Sequence, residues 1–187
     1  MKAKSLKFIS ASLLISSTIL YTNCSPSGDS VQEKITFLEK HTLDMEDSTL
    51  VGGDAHGGKY FSRADSANVY GKGMIFNIVD SLLQKDVRVK LNGWVRIGDL
   101  STDKKFAFSL EDGSGKSLHW TQIDFRSHVS ETNKWVNVKD SVTIPGNLIN
   151  QGGMIIKTYS YNPDGKSTLD CDDIELSYNK VERMEAK

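Results

Sequence analysis

The sequence predicts an all-β fold, two antiparallel sheets packed as a β-sandwich, on three observations. Between Asp86 and Ile97 apolar and polar residues alternate without a break: Val87, Val89, Leu91, Val95 and Ile97 share one parity, and Arg88, Lys90, Asn92, Trp94 and Arg96 share the other. Side chains on a strand point alternately to opposite faces, so the first set is a core face and the second an outer one. Phe106, Phe108 and Leu110 alternate in the same way before Glu111-Asp112-Gly113-Ser114-Gly115, and Lys116 to Phe125 answers as the returning strand of a hairpin. From Ile35 onward short runs of this kind recur between Gly, Asn and Asp, and few stretches hold a helical period.

Taken in order, Val31 to His41 offers both a helical spacing (Val31, Ile35, Leu38) and a strand-like Ile35-Thr36-Phe37, with the strand preferred. Strands are then expected over Tyr60 to Arg63, Gly73 to Val79, Asp86 to Ile97, the hairpin, Trp135 to Ile144, Met154 to Tyr161 and Ser167 to Tyr178, with a helical turn within Asp80 to Lys85. Asn162-Pro163-Asp164-Gly165-Lys166 has turn chemistry: proline presets φ and glycine tolerates positive φ. Roughly eight strands in this length call for two sheets, because one open sheet could not cover both of its faces.

Lys2, Lys4 and Lys7 precede an almost uncharged apolar run from Phe8 to Leu20, which is short for a membrane span of about 20 residues. Basic region, apolar region and a processing site in this order form an export signal. Tyr21-Thr22-Asn23-Cys24 resembles the lipobox of bacterial lipoproteins, with Tyr21 and Asn23 standing where that motif has an aliphatic and a small residue. The resemblance implies cleavage before Cys24, acylation of its sulfur (palmitate-type chains) and a protein held on the outer membrane or cell surface. The alternative is an ordinary secretory signal cut near Asn23 or Ser25, leaving Cys24 free or bonded to Cys171. The expected organisation is a signal peptide over 1–23, an anchor and flexible tether over 24–34, a sandwich domain over 35–180 and a charged tail over 181–187.

A net charge of −1, with no basic cluster outside the leader, excludes an electrostatic nucleic-acid binder. Cys171, in an apolar-alternating stretch, reads as a small buried hydrophobe. No catalytic residues are expected. Gly113-Ser114-Gly115-Lys116-Ser117 lacks the earlier glycine of a phosphate loop, the histidines at 41, 56, 119 and 128 have no zinc spacing, and no G-x-S-x-G elbow occurs.

The C-terminal half resembles a carbohydrate-binding-module or galactose-binding-like jelly roll. The residues that carry the likeness are Trp135-Val136-Asn137-Val138, Thr143-Ile144-Pro145, Tyr159 to Lys166, and Leu169-Asp170-Cys171-Asp172-Asp173-Ile174-Glu175-Leu176. Asp44-Met45-Glu46-Asp47 and Ala55-His56-Gly57-Gly58-Lys59-Tyr60 extend it into the N-terminal half. The resemblance implies a structural Ca²⁺ held by Asp172 or Asp173, by Glu46, and by carbonyls around Gly57 and Lys59; oxygen-only ligands suit that ion. The apolar parity slips from Leu169 and Cys171 to Ile174, Leu176 and Tyr178, which a β-bulge at the Asp pair would produce, leaving one Asp pointing inward. For a glycan ligand, the outer set Arg88, Lys90, Asn92, Trp94 and Arg96 offers a ring beside polar groups, with Trp120, Tyr159 and Tyr161 from neighbouring strands; His119 and Gln122 could contribute. Solvent exposure alone also accounts for Arg and Lys on an outer face. The expected role is a membrane-anchored, non-catalytic glycan binder, with a structural or protein-interaction lipoprotein of the same fold as the alternative and a sugar-active enzyme behind both.

Overall fold

The computed structural model describes residues 18–22, 32–43, 45–47 and 49–184. Cys24, the expected acylation site, lies outside them. The strands are β1 (Thr18–Thr22), β2 (Gln32–Leu43), β3 (Val51–Gly52), β4 (Tyr60–Ala64), β5 (Tyr70–Asn77), β6 (Asp86–Ile97), β7 (Lys105–Glu111), β8 (Ser117–Asp124), β9 (Val136–Ile144), β10 (Ile155–Tyr161) and β11 (Leu169–Met184), with a 3₁₀ turn at Asp80–Leu82. They form two antiparallel sheets. In the seven-stranded sheet β11 lies centrally: β6 and then β9 run along one side, and β4 and β2 share the other, β4 continuing to β3 and β2 to β1. The four-stranded sheet has the order β5-β10-β7-β8.

The expected sandwich is therefore present, and most of its strands fall where alternation placed them. Val87, Val89, Leu91, Val95 and Ile97 of β6 meet Phe106, Phe108, Leu110 and Ile156 of the smaller sheet in one buried core. Phe76 stacks on Tyr178 across it, with ring centroids 4.1 Å apart. Burial of each such side chain contributes about 1.5–3 kcal/mol. Cys171 is buried with them, and desolvation pushes its thiol far above the ordinary value, as befits an inert small hydrophobe.

Three boundaries differ from expectation. Gln32 to Lys34, read as tether, belong to β2, and β11 runs on to Met184 through most of the expected tail because Val181 remains a core position paired with Ile35. Thr18–Thr22, read as part of the signal, pairs with β2 from Thr18↔Thr36 to Thr22↔Gln32.

The bulge inferred from the parity slip is present. Asp172 pairs with Trp94 and Glu175 with Asn92, so Asp173 and Ile174 oppose Gly93 alone, and Asp173 takes φ +48°. The extra residue returns Ile174, Leu176 and Tyr178 to the core. Gly93 is required opposite it, since a Cβ there would strike Ile174 Cδ1 and stand 3.2 Å from the Ile174 Cα. Gly93→Ala is expected to cost about 2 kcal/mol and lower Tm by about 5 °C in thermal denaturation; an unchanged Tm would show that the strands do not meet this closely.

Candidate functional site

The two outer faces of the sandwich differ, and the residues expected to form one ligand surface divide between them. Arg88, Lys90, Asn92, Trp94 and Arg96 lie on the outer face of the seven-stranded sheet, whereas Trp120 on β8 and Tyr159 and Tyr161 on β10 lie on the four-stranded sheet. They cannot act on one ligand together.

At the Trp94 end of the larger sheet a loop, residues 53–59, folds over the outer face. His56 stacks on Trp94 at 3.7 Å between centroids and 15° between planes, so the tryptophan expected as a sugar platform is roofed by a histidine. Arg96 is 12 % exposed; it donates from Nε to Asp170 Oδ2 (3.0 Å) and from Nη1 to Asp54 Oδ2 (2.7 Å), and its guanidinium lies over the rings of Trp135 and Phe61. Arg63 Nε completes the cluster on Asp170 Oδ1 at 2.7 Å. Trp135 is part of this outer cluster, its indole N–H donating to the Asp54 carbonyl. The other expected side chains are similarly engaged or bare of rings. Arg88 pairs with Glu33, Asn92 accepts from Asn137, and Lys90 lines an open hollow of about 430 Å³ with Asn92, Lys139, Ser141, Glu175 and Ser177, where no aromatic side chain stands.

The acids expected to hold calcium converge on the same loop. Asp172 is buried, but on the outer face beneath the loop, not in the core as the parity slip suggested, because it shares the face of its partner Trp94. Its Oδ2 accepts from the amides of His56 (2.9 Å) and Gly57 (3.0 Å), and its Oδ1 from that of Asp173 (2.9 Å). Burial pushes its carboxyl above the ordinary value, against the lowering effect of these amides. Glu46 accepts from the amides of Lys59 and Tyr60, and Asp173 pairs with His56 Nδ1. Gly57 and Gly58 let the turn approach this closely: Gly58 has φ +62°, and a Cβ on either would collide with a carboxylate of Asp173 or Glu46. The turn thus presents N–H groups to the acids, while the Lys59 carbonyl is taken by Gly53 N. Among the described residues no three His, Cys, Asp or Glu side chains are grouped as metal ligands. In this arrangement the acids are answered by the amides of the turn. Tm in calcium and in chelator is expected to differ by less than about 2 °C; a rise of about 10 °C in calcium would mean that the ion displaces the amides.

The four-stranded sheet presents a different surface. Its register sets three cross-strand rows on the outer face: Ile75, Lys157, Ser109 and Trp120; Gly73, Tyr159, Ala107 and Gln122; Tyr70, Tyr161, Lys105 and Asp124. Tyr70 stacks on Tyr161 (5.1 Å, 9°) and meets Tyr159 edge-on (5.5 Å), which builds a wall of rings on one side. Trp120 stands on the other, 42 % exposed, with Lys105 Nζ 5.6 Å from its ring centroid. Between them Ala107 and Ser109 are buried beneath neighbouring side chains while Gly73 is exposed, and a hollow of about 490 Å³ opens beside Tyr70, Gly73, Ile75, Lys157 and Tyr159. Tyr70, Lys105 and Lys157 were not singled out by sequence. Lys157 shares the parity of Tyr159 and could have been; Tyr70 stands three residues before the strand expected there. His119 pairs with the core residue Leu110 and faces away from this surface.

No protein-family model matches the chain, and no curated protein does. Among solved structures it is similar to the VP2 subviral particle of infectious bursal disease virus (13% identity, TM-score 0.43, 88% of this chain and 38% of that one). It is similar also to a Clostridium thermocellum xylanase 10B fragment with CBM22-1 and GH10 modules, complexed with xylohexaose (12% identity, TM-score 0.41, 79% of this chain and 26% of that one). A third is the CBM22-1 xylan-binding domain of Paenibacillus barcinonensis Xyn10C (14% identity, TM-score 0.31, 94% of this chain and 85% of that one). The chain thus spans well under half of the first two.

Proposed function

We propose that the protein is a lipid-anchored, extracytoplasmic module that binds a glycan on the outer face of its four-stranded sheet and performs no chemistry on it. One observation carries the reading: Tyr70 and Trp120 stand exposed on this face, half-buried Tyr159 and Tyr161 pack beside Tyr70, and a hollow of about 490 Å³ opens along Tyr70, Gly73, Ile75, Lys157 and Tyr159. Sugar rings offer apolar faces to aromatic side chains and hydroxyls to the polar groups between them. Among the described residues the carboxylates in register on this face are Asp124, held by Arg126 at 2.7 Å, and Glu111 at the far end, which supplies no acid–base pair across the face. The anchor would be Cys24, whose acyl chains contribute about 0.8 kcal/mol per buried methylene.

On a glycan array the purified protein is expected to bind, and Trp120→Ala and Tyr159→Ala each to weaken binding about tenfold without lowering Tm. Trp94→Ala, which removes the ring under His56, should do the reverse: a lower Tm with binding retained. Binding lost through Trp94 alone would move the site to the other sheet. A silent array with folded protein would favour a second reading, in which a protein partner adds a strand to the open edge of β5, beside half-exposed Tyr70, Ile75 and Val79. Metabolic labelling with a palmitate analogue in a bacterial host is expected to mark the full chain and not Cys24→Ser; equal labelling of both would remove the anchor.

A further inference from the structure

The charges on the proposed glycan face are one-sided. The two rows that hold Tyr159 and Trp120 contain one cation, Lys157, and no carboxylate. Lys157 is exposed, and its ammonium makes no hydrogen bond or ion pair with any described residue. On the opposite sheet Lys40, Arg63, Arg88 and Arg96 have carboxylate partners, while Lys90 and Lys139 stand exposed and, among the described residues, unpaired at the hollow that no ring lines. One row beyond Tyr159, Lys105 leans over Trp120 with Asp103 3.4 Å away, and the acid of that row, Asp124, is held by Arg126. The two lysines therefore bracket the Tyr159 row, roughly 13 Å apart along the strands.

A neutral chain lying on this face would cover the Lys157 ammonium and strip its water without giving it a partner of opposite charge, which is costly. An anionic group on the sugar turns that cost into a charge-assisted hydrogen bond. We propose that the glycan bound here is acidic, a chain bearing carboxylate or sulfate groups, with Lys157 as the group that selects it and Lys105 as a second contact. This rests on the glycan reading of the same face.

The test is calorimetric titration of the purified protein with chemically matched pairs: polygalacturonate against its methyl ester, glucuronoxylan against its carboxyl-reduced form, and a sulfated against a desulfated galactan. The acidic member of at least one pair is expected to bind about tenfold tighter or better, with the preference shrinking as salt is raised. Lys157→Gln should bring the two members of that pair to the same level, weakening the acidic one and binding the neutral one no more weakly than before, with the Tm unchanged. Equal binding within every pair, or a preference that survives in both Lys157→Gln and Lys105→Gln, overturns the acidic-ligand inference while leaving the glycan site standing. Binding to no member of any pair by folded protein overturns the site and the inference together.

Discussion

Asp170 and Asp172, two carboxylates buried on the outer face of β11, are the constraint around which the rest of the molecule is arranged. Each is 1 % exposed, and an unpartnered charge in such a place would cost several kcal/mol. Asp170 is answered by Arg63 and Arg96, Asp172 by the amides of His56, Gly57 and Asp173. Meeting those demands pulls the 53–59 loop down onto the sheet and sets His56 on Trp94 and Arg96 between Trp135 and Phe61. The bulge at Asp173 belongs to the same solution. It lets β11 keep Leu169 and Cys171 in the core on one side and Ile174, Leu176 and Tyr178 on the other, while the acids between them stay under the loop.

Sealing that end decides where a ligand has room. What remains open on the seven-stranded sheet is a hollow of lysine, serine, asparagine and glutamate side chains without a ring. On the four-stranded sheet Tyr70 and Trp120 stand exposed, with Ala107 and Ser109 buried between the rows. Arg63 and Arg96, at the covered end of the larger sheet, are paired with Asp170, whereas the ammonium of Lys157 on the smaller sheet, like that of Lys90 on the larger, stays in water.

The strands were legible in the sequence because period-two alternation is local, and β6 was read residue for residue. The bulge was legible too, since one extra residue shifts the parity of everything after it. Which sheet a strand joins was not. Parity tells that Trp94 and Arg96 face outward together, but the partners of β6 are β11 and β9, and such pairings are set by contacts far apart in sequence. Trp94 was accordingly grouped with Trp120, Tyr159 and Tyr161, which lie on the other face. The meeting of Glu46, Asp172 and Asp173 at the Gly57-Gly58 turn was what the resemblance to carbohydrate-binding modules implied. Whether the turn would offer them carbonyls or amides depends on the orientation of a few peptide planes, and residue types do not encode that orientation.

The claim that a covered face and an open face divide the labour of this sandwich is tested most directly by backbone-amide NMR, following chemical shifts as the tightest-binding soluble oligosaccharide is titrated in. The account predicts shifts concentrated in β7, β8 and β10, around Ala107, Gln122 and Tyr159, with His56 and Gly57 undisturbed. Shifts confined to β6 and β9, around Asn92 and Lys139, would contradict it.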